Sequence, residues 1–470
     1  MIVSFEKISP SASAEFGRIV LLCVLLVLPF TFLVNIIGKE TYIVAVFGVI
    51  PILLLLLFSL QTMMYVMIGS LFIHALFYYV APGAWCAGLF LMSFVLTQRE
   101  IHLDELRNPL SAAFLIYCMT IIPSFINAAA PLTNVALLHN LFILAALIHI
   151  IPVSFVRPES IRKSLYAYLL FILLNSFTVI VQALVTGKRA FGFAGIMFVD
   201  YAGTGLIVVT IFALTSKGTR SFLFSLLAGI FLTALLLTQT RGAWLVTGLT
   251  LTLMLLYFFF RGKEFGISRA TVRLLSISGI GLLLVLLLVS RSFGVDVTKR
   301  TEEIVATNQA AIDEEGGTSN SLVMRVLIWS TAYNAFVAHP IVGIGVYGFP
   351  SSSAQYYTFP KLLYDRYVKG LTPHVGYLAV ATETGVVGLA GFLFFVIAGI
   401  RTVFRPLGEL SGADRTHSLI FAWVFSYIVL SMFTTDAWLW GQGIVLVGIV
   451  LGLSLGAAKE STAKSGVTLR

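Results

Sequence analysis

The chain has 470 residues, 59% of them hydrophobic and 11% charged, with a mean hydropathy of +0.98. A soluble domain carries about 25% charged residues, so the composition excludes an ordinary soluble enzyme and predicts a polytopic membrane protein. The formal net charge of +9 could suggest nucleic acid, but the lysines and arginines stand singly or in pairs between apolar runs; no nucleic-acid partner is expected, and membrane topology explains the excess.

A helix needs about 20 apolar residues to cross the hydrocarbon. In chain order the apolar runs predict spans near 17–38, 42–60, 62–81, 83–98, 108–128, 133–155, 163–185, 193–215, 221–239, 241–260, 272–290, 375–403, 417–436 and 440–457. The fold class is therefore all-α, a helical bundle of about 12–14 transmembrane helices. The first run has a polar start with Glu6, Lys7, Glu15 and Arg18 and no small-residue cleavage site, so it should remain as the first span. Cys23, Cys86 and Cys118 lie in apolar stretches without metal or redox spacing and read as packing residues.

With the N-terminus in the cytoplasm, the short inside segments collect Arg157, Arg162, Lys163, Lys217, Arg220, Arg261, Lys263, Arg401 and Arg405, whereas the short outside loops hold Lys39, Lys188, Arg189 and Arg241. The positive-inside rule then puts both termini in the cytoplasm. One connection, 291–374 between the eleventh and twelfth spans, is long enough to form a unit of its own on the outer side. The chain divides into an N-terminal bundle, 1–290, this loop, 291–374, and C-terminal helices with a cytoplasmic tail, 375–470. Within the loop, EEIVATNQAAIDEEGGTSNS is polar. The following SLVMRVLIWSTAYNAFVAHP has apolar residues at helical spacing and reads as an amphipathic helix lying against the membrane, stopped by Pro340. IVGIGVYGFPSS, with glycines at 343, 345 and 348, is turn-rich.

Ionisable residues in or near lipid are costly, so each is a functional candidate set against a packing role. Arg241, in LLLTQTRGAWLV, falls at the outer end of the ninth span among Thr238, Gln239 and Thr240; a snorkelling arginine is the plain alternative to an anion site. A guanidinium there suits diphosphate, which it can bind bidentately. Arg325 on the amphipathic helix either faces water or joins it. His374, after Thr372-Pro373, could take a proton from a sugar hydroxyl as a neutral imidazole, although a lone histidine is more often structural.

Glu383 looks like a partner for His374, but nine residues of helix correspond to about 13 Å of rise, and glycines 385, 388 and 391 follow it. A hydrogen bond from Glu383 to a neighbouring span is the favoured reading. Asp200, beside Tyr201 and glycines 203 and 205, either lines a polar cavity or is a buried, hydrogen-bonded carboxyl. Asp436, in TTDAWLWGQG, reads as part of an interfacial aromatic belt. Lys188 and Arg189 could attract phosphate or lipid headgroups. His74, His139 and His149 show no metal-ligand spacing, and neither a metal nor a cofactor is expected.

Three segments taken together, TQTRGAWL, MRVLIWSTAYNAFVAHPIVGIGVYGF and PHVGYLAVATETGVVGLAGFLFF, resemble the O-antigen ligase and polymerase superfamily of bacterial envelope glycosyltransferases, over roughly residues 236–400. The resemblance implies a C-type glycosyltransferase fold in the bacterial inner membrane. It implies a metal-independent, inverting transfer of a glycan from undecaprenyl diphosphate to an acceptor hydroxyl on the periplasmic side. Arg241 and Arg325 would hold the diphosphate and His374 would activate the acceptor; Glu383, Asp200, Lys188 and Arg189 would be supporting residues at most. The acceptor could be a lipid A-core sugar, another lipid-linked repeat or a protein. Fourteen spans would exceed the dozen usual in such ligases. The rival from another class is a lipid-linked oligosaccharide flippase, which should show pseudo-symmetric halves and cations within its central spans; the sequence shows no internal repeat.

Overall fold

In the computed structural model the described residues are 59–76, 82–97, 108–128, 131–268, 270–273, 276–277, 280, 321–408, 412–439 and 441–465. The expected span 17–38, nearly all of 42–60, most of 272–290 and the polar stretch at 302–320 lie outside them. Every regular element among the described residues is helical. The principal helices are α1 (Leu60–Ser70), α2 (Pro82–Thr97), α3 (Ser111–Ile121), α4 (Pro131–Ser154), α5 (Pro158–Thr186), α6 (Phe198–Thr215), α7 (Thr219–Leu237) and α8 (Arg241–Arg261). They are followed by α9 (Ser321–Ala338), α10 (Lys361–Tyr367), α11 (Gly376–Phe404), α12 (Gly412–Ser431) and α13 (Gly441–Ser465). Seven segments among the described residues are long and apolar enough to cross a membrane: Leu137–Ser154, Pro158–Thr186, Gly192–Thr215, Thr219–Leu237, Arg241–Phe265, Gly376–Leu407 and Gly441–Lys459.

Two helices form the centre. The apolar windows of α6 and α13 are 94% and 89% buried, against 33% for α5 and 28% for α7, so the latter pair form the periphery. Small residues make the central packing close. Gly448, Gly452 and Gly456 recur every fourth residue on α13 and lie against Leu147 and Ile151 of α4 and Phe155 just after it, where added Cβ atoms would collide; without a hydrophobic gain between helices in lipid, such contact supplies the association energy. On the other flank α3 packs against α11 through Tyr117 stacked on Phe395 and tilted against Phe392.

Helix α11 is broken. Gly385 has φ +66° and ψ −169°, so Val386 and Val387 no longer donate to Thr382 and Glu383 one turn back. Their N–H groups go instead to the carbonyls of Pro340 (2.8 Å) and Ile341 (3.3 Å). The freed carbonyls of Thr382 and Glu383 accept from Ile344 (3.1 Å) and Gly345 (3.0 Å). The turn-rich segment after α9 is thus threaded into the gap. Cβ atoms on Gly343 or Gly385 would strike the facing backbone.

Gly385→Ala should therefore destabilise the protein by about 2 kcal/mol or more, because the conformation is essentially restricted to glycine and there is no room for a methyl group. Gly248→Ala, on an exposed face of α8 with nothing near its Cβ position, should leave stability unchanged or raise it by up to about 1 kcal/mol. Thermal unfolding in detergent distinguishes them; equal midpoints would contradict the threaded geometry.

Candidate functional site

At the end of the bundle where α8 and α11 begin, four loops converge. The 432–436 segment after α12 accepts the N–H of Gly376 on the carbonyls of Met432 (2.7 Å) and Thr435 (3.1 Å). It also lies against the start of α8, where a Cβ on Gly242 would stand 3.1 Å from Thr434 Cβ. The loop after α5 joins from the side, with Ala190 N–H donating to Leu237 O at 3.4 Å. Helix α9 reaches the same end through its first turns.

His374 sits at the centre of this convergence. Its backbone is left-handed, with φ +57°, a conformation unfavourable for a residue with a Cβ and one that persists where neighbours over-determine it. Two contacts do so. The Asp436 carboxylate accepts the His374 backbone N–H at 3.3 Å, and the Trp329 indole N–H donates to the carbonyl of Pro373 at 3.2 Å. The other Asp436 oxygen lies 4.0 Å from His374 Nδ1, and Thr372 Oγ1 lies 3.3 Å from the same nitrogen. Asp436 is buried while the imidazole remains 35% exposed, so Nδ1 faces the protein side and the ring stays accessible.

Burial is the main influence on the imidazole and lowers its pKa below the usual histidine value; the Asp436 carboxylate raises it and the Arg325 guanidinium lowers it. The ring is therefore kept neutral near pH 7 and can accept a proton. Arg325, one helical turn before Trp329, is half-buried, and burial lowers its pKa, though a guanidinium remains charged. It forms no ion pair with a carboxylate among the described residues.

Arg241 is the first residue of α8 and is half-buried. The N-cap Thr240 makes no side-chain capping bond, and the positive end of the helix dipole falls at this start of α8. Gln239, just before it, has φ +53°, which turns the chain sharply from α7 into α8. Lys188 and Arg189 are exposed on the adjoining loop, the Arg189 guanidinium 4.5 Å from the Phe191 ring centre.

Two candidates fall elsewhere. Asp200 is buried in the first turn of α6 and accepts from the Tyr427 hydroxyl at 3.2 Å; it belongs to the interior of the bundle. The Glu383 side chain is also buried, and its carboxylate accepts the N–H groups of Tyr347 (2.9 Å) and Phe349 (3.4 Å). It secures the threaded segment rather than bonding to a neighbouring span. Tyr347 continues inward, accepting from Asn140 (2.9 Å) and donating to Leu439 O (3.1 Å). A cavity of about 80 Å³ lies behind this turn, walled by Tyr117, Leu141, Phe392, Phe425 and Trp438 as well as Glu383; neither Arg241, Arg325 nor His374 lines it.

Asp436 is the residue that sequence reasoning put in the wrong setting. Its tryptophan-rich surroundings suggest an interfacial belt, yet the side chain is buried against the histidine; the buried acid in an apolar stretch was the available signal. No group of three His, Cys, Asp or Glu that could hold a metal occurs among the described residues.

The fold is that of a multi-pass membrane protein whose one end carries cations around a neutral histidine. Residues 226–393 match the family model described as O-antigen ligase, which supports the O-antigen ligase and polymerase superfamily. The matched segment contains Arg241, Arg325, His374 and Glu383 and stops short of Asp436. No curated protein matches the sequence.

The opposed charges on the imidazole make a signed prediction. Modification by diethyl pyrocarbonate requires the neutral ring, so its rate at His374 should rise with pH through the pKa. Asp436→Asn removes the raising influence and should move the midpoint to lower pH; Arg325→Gln removes a lowering influence and should move it to higher pH. Peptide mass spectrometry resolves His374 from the other histidines, and coincident midpoints would refute the electrostatic account.

Proposed function

We propose that the protein is a membrane glycosyltransferase that moves a glycan from undecaprenyl diphosphate to an acceptor hydroxyl at the periplasmic face of the inner membrane, as an O-antigen ligase or a polysaccharide polymerase. The observation that carries this reading is the neutral, partly exposed imidazole of His374 held beside Arg325, at the bundle end where Arg241 begins α8. It is supported by the family match across the three residues.

In the proposed reaction the sugar is already activated by its diphosphate, so two tasks remain. His374 accepts the proton of the acceptor hydroxyl as the oxygen attacks the anomeric carbon. The bond from that carbon to the diphosphate oxygen breaks, and the departing undecaprenyl diphosphate keeps the electron pair. Arg241 and Arg325 neutralise the charge developing on it, a preorganised stabilisation that acts most strongly where water is limited. Attack opposite the leaving group inverts the anomeric centre. Asp436 holds the His374 backbone, and its carboxylate, close to Nδ1, steadies the imidazolium formed during transfer. Lys188 and Arg189, being exposed on the adjoining loop, can draw the anionic donor toward this end.

With the protein reconstituted beside undecaprenyl-diphosphate glycan and an acceptor, His374→Ala should lower kcat by a factor on the order of 100–10,000, the usual contribution of a general base. Full-rate transfer by that variant would end the proposal. Arg241→Ala and Arg325→Ala should each reduce kcat/KM for the donor about 10- to 100-fold, corresponding to about 1.5–3 kcal/mol for a charged hydrogen bond, with the acceptor KM unchanged. Unaltered donor dependence would make both arginines structural.

A further inference from the structure

The register of α9 against α11 sets its depth. Three rungs join them: Trp329 to Pro373 (3.2 Å), Thr382 Oγ1 to the carbonyl of Ala332 (3.1 Å), and Val386 and Val387 to Pro340 and Ile341 (2.8 and 3.3 Å). The two helices therefore run side by side in the same direction. Ile341 lies alongside Val387, eleven residues into a segment, Gly376–Leu407, long and apolar enough to span the membrane. At 1.5 Å per residue that is roughly 16 Å from the start of a segment about 48 Å long, against a hydrocarbon layer of about 30 Å, so Ile341 stands between the boundary of the layer and its middle.

The outward face of α9 is apolar at this depth. Tyr333, Val337 and Ile341 are 61%, 56% and 63% exposed and follow one another down one side. The opposite face, Ile328, Ala332 and Ala335, is fully buried. The returning chain stays beside the lower turns: Asn334 donates to Tyr356 O at 3.1 Å, and the His339 and Tyr356 rings meet edge to face. It adds Phe359 and Leu362, which are also exposed.

We propose that α9 and residues 340–362 form a re-entrant element immersed in the leaflet at the His374 end, with Tyr333, Val337, Ile341, Phe359 and Leu362 in contact with lipid acyl chains. Irregular backbone at membrane depth is tolerated only where protein satisfies its polar groups. Within residues 340–349 protein supplies such partners. Pro340 has no N–H; Ile344 and Gly345 donate to α11 carbonyls; Tyr347 and Phe349 donate to Glu383; and Asn127 donates to Gly343 O at 2.8 Å. Ile341, at the lower end of the stripe, stands at a level that acyl chains occupy. Ala338 lies thirteen residues below Arg325, about 20 Å of helix, which raises the guanidinium to headgroup level. An anionic headgroup can then meet Arg325 by lateral movement within the leaflet.

The immersion does not depend on the proposed transferase reading and is tested without activity. Full-length protein with Cys23, Cys86 and Cys118 replaced by alanine is given one cysteine, labelled with an environment-sensitive fluorophore. It is reconstituted in phosphatidylethanolamine and phosphatidylglycerol vesicles. Labels at Val337→Cys and Leu362→Cys should be quenched by nitroxide on lipid acyl chains several-fold more than a label at Lys369→Cys. They should resist aqueous iodide as a label at Leu245→Cys on the exposed face of α8 does. Iodide quenching equal to that at Lys369→Cys would show the element standing in water. Protection from both quenchers would show a protein surface, such as a second copy, covering the stripe. Either result overturns the proposal.

Discussion

Backbone polar groups in a membrane have no water to bond to, and the exchange at Gly385 is how this chain meets that constraint where its helices are interrupted. An ordinary helix would pair Val386 with Thr382 and Val387 with Glu383. Here both pairs are traded for four bonds between α11 and residues 340–345, so the groups freed by the break are paired by the inserted segment. An unsatisfied amide in hydrocarbon costs several kcal/mol. The two partners therefore depend on each other: without the inserted segment the break in α11 exposes two carbonyls and two N–H groups, and without the break the segment has nowhere to bond.

The same lock sets the site. Because Pro340 and Ile341 are fixed on α11, the remaining turns of α9 can extend only along it, which brings Trp329 level with Pro373 and Arg325 close to His374. His374 is then held from two directions, by the carboxylate of a loop after α12 and by an indole from α9. Together the two contacts offset the strain of a left-handed histidine, about 1–3 kcal/mol. The charges oppose each other as well. Asp436 favours the protonated ring and Arg325 disfavours it, while partial burial tips the balance toward the neutral form, so the imidazole can gain a proton without either neighbour fixing its state.

The helical bundle is legible in the apolar runs, and the polar interruptions within them make Arg241, Arg325 and His374 candidates, which the family resemblance rather than their surroundings ties to one chemistry. The roles of the two acids are not legible. Treating α11 as a continuous helix argues against a Glu383–His374 pair, but it does not reveal that the partners of Glu383 are backbone N–H groups of Tyr347 and Phe349, and amides leave no trace in side-chain pattern. The glycines at 343, 345 and 385 do carry a signal. Read separately they suggest a turn and a small-residue contact, and only their joint position shows two backbones approaching within hydrogen-bonding distance. Asp436 is distant in sequence from His374, beside tryptophans that give a sufficient local explanation; tertiary contact alone decides between the two settings. Asp200 illustrates the converse, since a carboxyl that finds Tyr427 across the bundle is satisfied in the interior and has no need of the site.

The placement of the cations resolves a conflict inherent in proposed chemistry on a lipid-borne diphosphate: charge must come to the membrane boundary while the elements that carry it remain compatible with hydrocarbon. Arg241 is the first residue of α8, and Arg325 stands near the start of α9. Each helix is apolar below its arginine, so it can be anchored at depth while its guanidinium remains at the polar boundary. A cation in mid-helix would require a counter-ion at depth, where desolvation offsets most of the attraction. Helix ends avoid that cost, and at α8 the positive end of the helix dipole adds to the charge of the guanidinium. The arrangement also separates stability from recognition, because the polar groups that hold the fold together, Glu383 and the Asp200–Tyr427 pair, are enclosed by protein and do not compete for an incoming anion.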